Sequence, residues 1–474
     1  MNILDKATFF RAPSTAWMFL KAFSCQHQDT TTFGRTTNWP NGEKTGNQAT
    51  CNSMKYRIIT TSFALTALLL AVMLTGCVSV TGTKSKSPPT LKAAYKHHFY
   101  VGVAISRSVT TGTAGFNQSQ AQVDKDIALV KQQFNQTSPE NDLKWEIIQP
   151  YEGSNGYNFG PADAYVNFGI SNHMYIVGHT LVWHSQTPSW VFGASNAPPP
   201  ANWDPNQPTA GGRGGFGGGF GGGFGGFGRG GGGPPATRDQ LLQRMHDHIM
   251  TVVGRYKGKI KVWDVVNEAV ADGGTNILRD STWERIIGPD FIAKAFQYAH
   301  EADPNAILRY NDYSLENPAK RHKLITLIKS LQAQGVPVMA IGSQTHVHLG
   351  SPTFEQEDRM LTDLDQLGLP IHITELDVNN SQGGQRNTGA DVANMSTMTG
   401  GGLVSNSDQR LADEYSALFK AFLKHKSVKV VTFWGVNDSV TWLRGATPLL
   451  FDGNDRPKPA FDAVIHAATG GRTK

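Results

Sequence analysis

The sequence predicts an α/β fold, a (β/α)8 or TIM barrel in one domain, and three observations predict it. From about Ala94 onward, short β-branched runs alternate with stretches of helical length, the signature of parallel βα units. Eight such units fill roughly 375 residues, the size of this barrel with long loops. Seven of the eight strand runs end in clusters of polar and aromatic residues, and in this fold every C-terminal strand end opens onto one face, where active sites sit.

In chain order, Tyr100–Ala104 is the first strand, and Gln122–Gln133 after it has apolar residues at three- and four-residue spacing. Phe134–Ser138 is the second strand and runs into PENDLKWE; Tyr175–Thr180 is the third and lies within the motif GHTLVWHSQTPSW. The amphipathic stretch Arg238–Tyr256 leads to the fourth strand, Val262–Asn267, which ends WDVVNE. Helical spacing over Phe291–Ala302 precedes the fifth, Ile307–Asn311, ending YNDY. The same spacing over Pro318–Gln334 precedes the sixth, Ala340–Thr345, which runs into SQTHVH. Ile371–Glu375 ends ITELD, and after the helical stretch Asp408–His425 the eighth strand, Val428–Trp434, continues into FWGVNDSVTW.

With 474 residues, 39% of them hydrophobic and 17% charged, the chain can bury a large core and is too apolar for general disorder. Its three cysteines, Cys25, Cys51 and Cys77, all lie early, so the body has neither a disulfide framework nor a cysteine metal site. Cys77 closes a stretch that begins at Met54 with Lys55 and Arg57 and is apolar from Phe63 to Leu74, the pattern of an export signal. Leu74-Thr75-Gly76-Cys77 looks like a bacterial lipobox, with cleavage before a cysteine that then carries lipid. Residues 54–76 are therefore expected to be removed, and 1–53, which are polar and sit awkwardly ahead of a signal, to be a non-native extension with translation starting at Met54. Residues 77–93 follow as a linker and 94–470 as the barrel. Val78 after the cysteine, rather than the aspartate of inner-membrane retention, points by analogy to the outer membrane.

Leaving out the signal and the extension changes what charge means. The formal +5 falls to about +1 without the five Lys/Arg and three Asp/Glu of residues 1–53 and the two positive charges of the signal. A nucleic-acid binder carries a strong basic excess on its domain, so no nucleic-acid partner is expected.

Two carboxylates, Glu268 and Glu375, cap the fourth and seventh strands without any cysteine or dense histidine cluster nearby. Glycosidic hydrolysis needs such a pair: one group protonates the departing sugar oxygen while the other attacks the anomeric carbon or activates water. Neighbouring tryptophans offer flat apolar platforms for sugar rings, and Asn, Gln and His offer hydrogen bonds to hydroxyls. Any one of these residues alone would pass as a surface charge or a core aromatic.

Together, GHTLVWHSQTPSW, YKGKIKVWDVVNEA, LRYNDY, GSQTHVH and ITELDV resemble glycoside hydrolase family 10, the endo-β-1,4-xylanases, over roughly Ala94 to Thr469. The resemblance implies that Glu268 is the acid/base and Glu375 the nucleophile of a retaining reaction that needs no cofactor and no catalytic metal. It also implies that Asn267 holds the 2-hydroxyl of the reacting sugar, and that His346, partnered by Asp377, orients the nucleophile. Glu140, Asn141, Lys144, His179, Trp183, Gln186 and Gln344 match residues lining the sugar cleft, and Trp434 and Trp442 its aromatic floor and lid. The implied partners are xylan and xylo-oligosaccharides, the membrane through lipid on Cys77, and no second copy, a monomer being expected.

Two loops depart from the family pattern. A Pro/Gly-rich insertion over 198–236 contains RGGFGGGFGGGFGGFGRGGGG, too rich in glycine to order its own backbone and carrying only Arg213 and Arg229 as charges. It reads as a disordered loop after the third strand, either a neutral spacer or a flap whose phenylalanines reach sugar. The Ser381–Asn406 loop after the nucleophile strand is again rich in Gly and Ser. Two readings compete with a xylanase: a catalytically dead sugar-binding lipoprotein, which the intact Glu268, Glu375, Asn267 and His346 oppose, and a nucleic-acid binder, which the charge opposes. Within the enzyme class the alternative is a β-1,4-glucanase or mixed enzyme on the same scaffold.

Overall fold

In the computed structural model, the described residues are 89–115, 118–193, 199, 234–382 and 401–470. The 1–53 extension, the 54–76 signal, Cys77, most of the 77–93 linker, most of the 198–236 insertion and residues 383–400 of the second loop lie outside them.

Eight parallel strands form the barrel: β1 (Tyr100–Ile105), β2 (Gln136–Pro139), β3 (Tyr175–Trp183), β4 (Val262–Asn267), β5 (Ile307–Asp312), β6 (Ala340–Ser343), β7 (Ile371–Asn379) and β8 (Val428–Phe433). Each pairs with its neighbour, and β8 closes the ring by pairing with β1 at Tyr100↔Val430 and with β7 at Val428↔Ile371. Because every strand is covered by the barrel interior on one side and helices on the other, β4 is buried at all six positions.

The helices used below are α1 (Leu91–Ala94), α2 (Gln120–Gln133), α3 (Gly160–Ser171), α4 (Arg238–Arg255), α5 (Phe291–Ala302), α6 (Pro318–Ala333), α7 (Phe354–Asp365), α8 (Ser407–Lys424) and α9 (Pro459–Thr469). α4 starts where Thr237 and Gln240 form a capping box, and it buries Leu241, Met245, Ile249, Val252 and Val253, one stripe at helical spacing. α5 does the same through Phe291, Ile292, Ala295, Phe296 and Ala299. α6 begins with the Asn317 side chain accepting from Ala319 and Lys320 and with Pro318 at the first position.

Only β4 has both expected boundaries: β3 runs on to Trp183 rather than Thr180 and β7 to Asn379 rather than Glu375, β1, β5 and β8 end one residue away, and the differences at β2 and β6 have a visible cause. β2 starts at Gln136 rather than Phe134, because Phe134 caps α2 and its N–H still bonds the Val130 carbonyl. β6 stops at Ser343: Thr345 has φ 57°, which breaks the extended chain, and His346–His348 resumes as a separate strand paired with β7 at His346↔Asp377. That interruption carries His346 across to β7, the strand that bears Glu375.

The helix α1 packs Leu91 into the core, and Tyr95 just after it donates its hydroxyl to the Val464 carbonyl of α9, so the two ends of the described domain meet. The insertion leaves and rejoins the barrel at one place: Gly193 and Pro235 form an antiparallel bridge, and the Ala236 N–H bonds the Phe192 carbonyl at 2.9 Å. Arg244 of α4 secures that junction by donating to the Val191 and Gly193 carbonyls.

Candidate active site

The expected cleft residues stand from the middle of a strand to beyond its C-terminal end. Glu140, Asn141 and Lys144 follow β2; His179 and Trp183 are in β3, with Gln186 just beyond; Asn267 ends β4 and Glu268 follows it; Gln344 follows β6; Glu375 and Asp377 are in β7; Trp434 and Trp442 follow β8. The parallel order of the strands brings these ends together although they are far apart in sequence.

The two carboxyls are both buried, and their partners differ in kind. Glu268 accepts from the indole N–H of Trp183 at 2.9 Å and from the Gln344 amide at 2.9 Å, both neutral donors. Glu375 accepts from the Asn311 amide at 2.8 Å, and its other oxygen lies 3.3 Å from His346 Nε2. His346 Nδ1 is in turn 3.0 Å from Asp377, which also accepts from the indole N–H of Trp442 at 2.7 Å. Burial works against a charge on His346, but Asp377 and then Glu375 outweigh it and raise its pKa to about 10. Burial likewise pushes the Glu375 carboxyl up, yet the hydrogen bond with His346 and the pull of His179 and His346 hold it below the ordinary carboxylate range. The result is one carboxyl kept ionised beside a buried cation and another that accepts from a neutral indole and a neutral amide.

A fixed amide relay joins the pair. Asn267 Oδ1 accepts from Asn311 at 2.9 Å and from Gln344 at 3.2 Å, so what Asn267 has to offer a sugar hydroxyl is its own N–H. Asn311 Oδ1 accepts from Thr374, which leaves its amide N–H groups for Asn267 and Glu375. Gly342 makes room for this: a Cβ there would lie 2.3 Å from Asn311 Oδ1.

Lys144 extends the site away from the carboxyl pair. It donates to Asn141 at 2.9 Å and Gln186 at 2.8 Å and lies 5.2 Å from the Trp183 ring centroid. Burial lowers its pKa to about 8 against the pull of Glu375, Glu140 and Glu268. Burial raises Glu140 to about 7, with Lys144 opposing. His346 meets Trp442 edge-on at 5.0 Å and Trp434 at 6.3 Å, and His179 meets Trp434 at 5.6 Å, so the expected floor and lid surround the nucleophile's support.

Sequence reasoning quoted Asn311 within YNDY without giving it a role, and it missed a charged layer below the site. His179 Nδ1 lies 3.0 Å from Asp264, which takes a two-pronged pair from Arg309, and Arg309 also donates to His372. Arg carries only donors, so His372 presents a lone pair there; burial and the Arg309 charge hold its pKa well below normal. A signal existed: Asp264 and Arg309 are opposite charges inside adjacent apolar strands, paired in register.

A parallel barrel that presents two buried carboxyls of opposed surroundings among tryptophans and amides defines a glycoside hydrolase. Residues 90–467 match Glycosyl hydrolase family 10, and the chain belongs to that family. It is 37% identical over 388 residues to an endo-1,4-beta-xylanase of Geobacillus stearothermophilus, covering 80% of this chain and 99% of that one. It is also 37% identical over 379 residues to endo-1,4-beta-xylanase A of Caldicellulosiruptor sp. (strain Rt8B.4), where 80% of this chain spans about half (47%) of the relative. A solved GH10 endoxylanase from a sugarcane soil metagenome superposes with TM-score 0.64 at 35% identity, over 80% of this chain and 99% of that one.

Proposed function

We propose that the protein is a retaining endo-β-1,4-xylanase with Glu375 as nucleophile and Glu268 as acid/base. The observation that carries the assignment of roles is the asymmetry of the carboxyls: Glu375 shares a buried ion pair with His346 that holds it ionised, whereas Glu268 accepts from the neutral Trp183 indole and the neutral Gln344 amide. Glu375 attacks the anomeric carbon as Glu268 gives its proton to the departing glycosidic oxygen, and a glycosyl ester on Glu375 results. Glu268, now a carboxylate, takes a proton from water as that water attacks the same carbon, which frees Glu375 and returns the original configuration. Asn267 serves the 2-hydroxyl; Glu140, Asn141, Lys144 and Gln186 serve sugars further along the chain, and Trp434 and Trp442 the ring faces.

The test is product analysis on xylan, arabinoxylan and soluble cellulose with the anomeric configuration of the first products followed by NMR. Internal cleavage of xylan with retained configuration is expected; faster turnover of cellulose would make the enzyme a glucanase, and binding without products a lectin. Glu375→Ala should lose nearly all turnover, and azide should restore part of it on an activated aryl glycoside, giving the α-glycosyl azide. Restored activity with a β-azide would remove Glu375 from the nucleophile's role.

The same protein is proposed to be exported and lipid-anchored at Cys77 to the outer membrane, on the strength of the charged start, apolar run and lipobox-like Leu74–Cys77. Cys77→Ser should move it out of the membrane fraction or leave it unprocessed. An intact mass without lipid, with fractionation unchanged in the variant, would overturn this.

A further inference from the structure

Glu268 holds its carboxyl in place from an uncommon backbone position, φ 58°, which a non-glycine residue keeps only where its surroundings fix it. Five contacts do so. Its own N–H bonds the Asn311 carbonyl at 2.9 Å, and its carbonyl accepts from Arg279 Nε at 3.1 Å. The next two N–H groups, of Ala269 and Val270, both donate to Tyr310 Oη at 2.9 and 3.0 Å, and Val270 also reaches Asp312 Oδ2 at 3.2 Å.

The groups behind these contacts converge on one cation. The Tyr310 hydroxyl donates to Asp312 Oδ2 in a 2.7 Å bond, and the other oxygen of Asp312 lies 2.8 Å from Lys320 Nζ. Arg279 bonds Asp272 Oδ2 at 2.8 Å, and the other oxygen of Asp272 lies 2.7 Å from the same Nζ. Lys320 sits in the first turn of α6, 2% exposed, with its ammonium over the Tyr313 ring. It touches neither catalytic carboxyl, and the double displacement has no use for it.

We propose that Lys320 is a positioning residue for Glu268: its ammonium anchors Asp312 and Asp272, and through Tyr310 and Arg279 these two carboxylates hold the Glu268 backbone in the conformation that aims its side chain. Asp312 is wholly buried, and burial pushes its carboxyl up while Lys320 is the strongest influence opposing that. Without the ammonium, Asp312 takes a proton and becomes a poor acceptor for Tyr310 and Val270. Asp272 loses the charge that keeps it below the ordinary range, and with it the firm hold on Arg279. Both arms slacken at the same residue, the one that must deliver a proton along a defined line.

The inference rests on Glu268 being the acid/base, and the experiment separates the two. Lys320→Met keeps the length of the side chain and removes its charge. kcat/KM, which reports the first displacement, is measured on aryl xylobiosides of rising leaving-group pKa, beside Glu268→Ala. Labelling of Glu375 by a fluorinated mechanism-based xylobioside with a dinitrophenolate leaving group, which departs without a proton, counts competent nucleophiles. Lys320→Met is expected to lose about 10- to 100-fold on phenyl leaving groups and xylan while labelling and dinitrophenyl turnover change by less than about threefold. Equal losses on good and poor leaving groups, or none on either, would overturn the proposal. If Glu268→Ala itself shows no leaving-group dependence, the acid/base assignment is what fails. Should Lys320→Met not fold, Arg279→Met severs one arm at the Glu268 carbonyl and must show the same asymmetry with a smaller ratio; its absence also overturns the proposal.

Discussion

His346 is the strongest influence that keeps Glu375 charged, with His179 beside it. Burial alone would favour the neutral acid, and His346, itself kept protonated by Asp377, reverses that preference. His346→Asn should therefore raise the Glu375 pKa, so the acid limb of kcat/KM against pH moves to higher pH, by about 1–3 units if the cation acts at full strength. A limb that stays in place while kcat falls would show His346 acting on geometry alone. Stability follows from the same proton. A histidine ordinarily titrating near 6.5 is raised here to about 10, so its contribution is complete below about pH 6.5 and is lost as pH rises through about 10. Wild type should lose stability across that window, and His346→Asn should lose much less of it. Chemical denaturation at pH 6 and pH 10 measures the difference. The roles of Glu268 and Glu375 could be proposed from sequence because family motifs surround them, whereas Asp264 and Arg309 offered only the signal of opposite charges inside apolar strands, which gains a meaning once the register sets them side by side with His372 in reach.

The loop after β3 is the element whose sequence departs most from the barrel pattern, and its attachment limits its influence. Gly193 and Pro235 are already bridged, Arg244 holds the Val191 and Gly193 carbonyls, and Thr237 caps α4 two residues on. Replacing residues 194–234 with a short Gly-Ser link should therefore leave β3 and α4 undisturbed. Thermal stability is expected to stay the same or rise by up to about 1 kcal/mol, since a shorter loop closes at less entropic cost. Turnover of a short aryl xyloside is expected to be unchanged, and a loss confined to long or insoluble xylan would assign the insertion to substrate capture. Loss of folding, or of activity on the small substrate, would contradict this reading. Strand and helix placement was legible to within a few residues because burial on both faces demands continuous apolar runs and a single apolar stripe on each helix. The break between β6 and His346–His348 was not, since it depends on a left-handed Thr345 that no residue type announces.

The described barrel is a ring whose first and last described segments must also be fastened, and nothing in the periodicity showed how. Tyr95, before β1, is fully buried, stacks on Phe99 at 4.8 Å, meets Phe419 of α8 at 5.3 Å, and donates to the Val464 carbonyl of α9 at 2.6 Å. One side chain thus links the segment entering the barrel to the last two helices, beside the β1–β8 pairing that closes it. It precedes β1, so it belongs to the N-terminal end of the barrel, while every catalytic group stands at the C-terminal strand ends. Stability and chemistry should therefore separate. Tyr95→Phe removes the hydrogen bond to the Val464 carbonyl, at about 0.5–1.5 kcal/mol. Tyr95→Ala also empties the ring's place between Phe99 and Phe419, at about 3–5 kcal/mol. Melting temperature should fall in that order, with kcat on an aryl xylobioside unchanged per site labelled at Glu375 well below the transition. A chain begun at Phe99 should melt below one begun at Pro89, like Tyr95→Ala or lower. A fall in kcat per labelled site with unaltered melting would mean that the closed end of the barrel governs the open one, contrary to the separation argued from the positions of these residues.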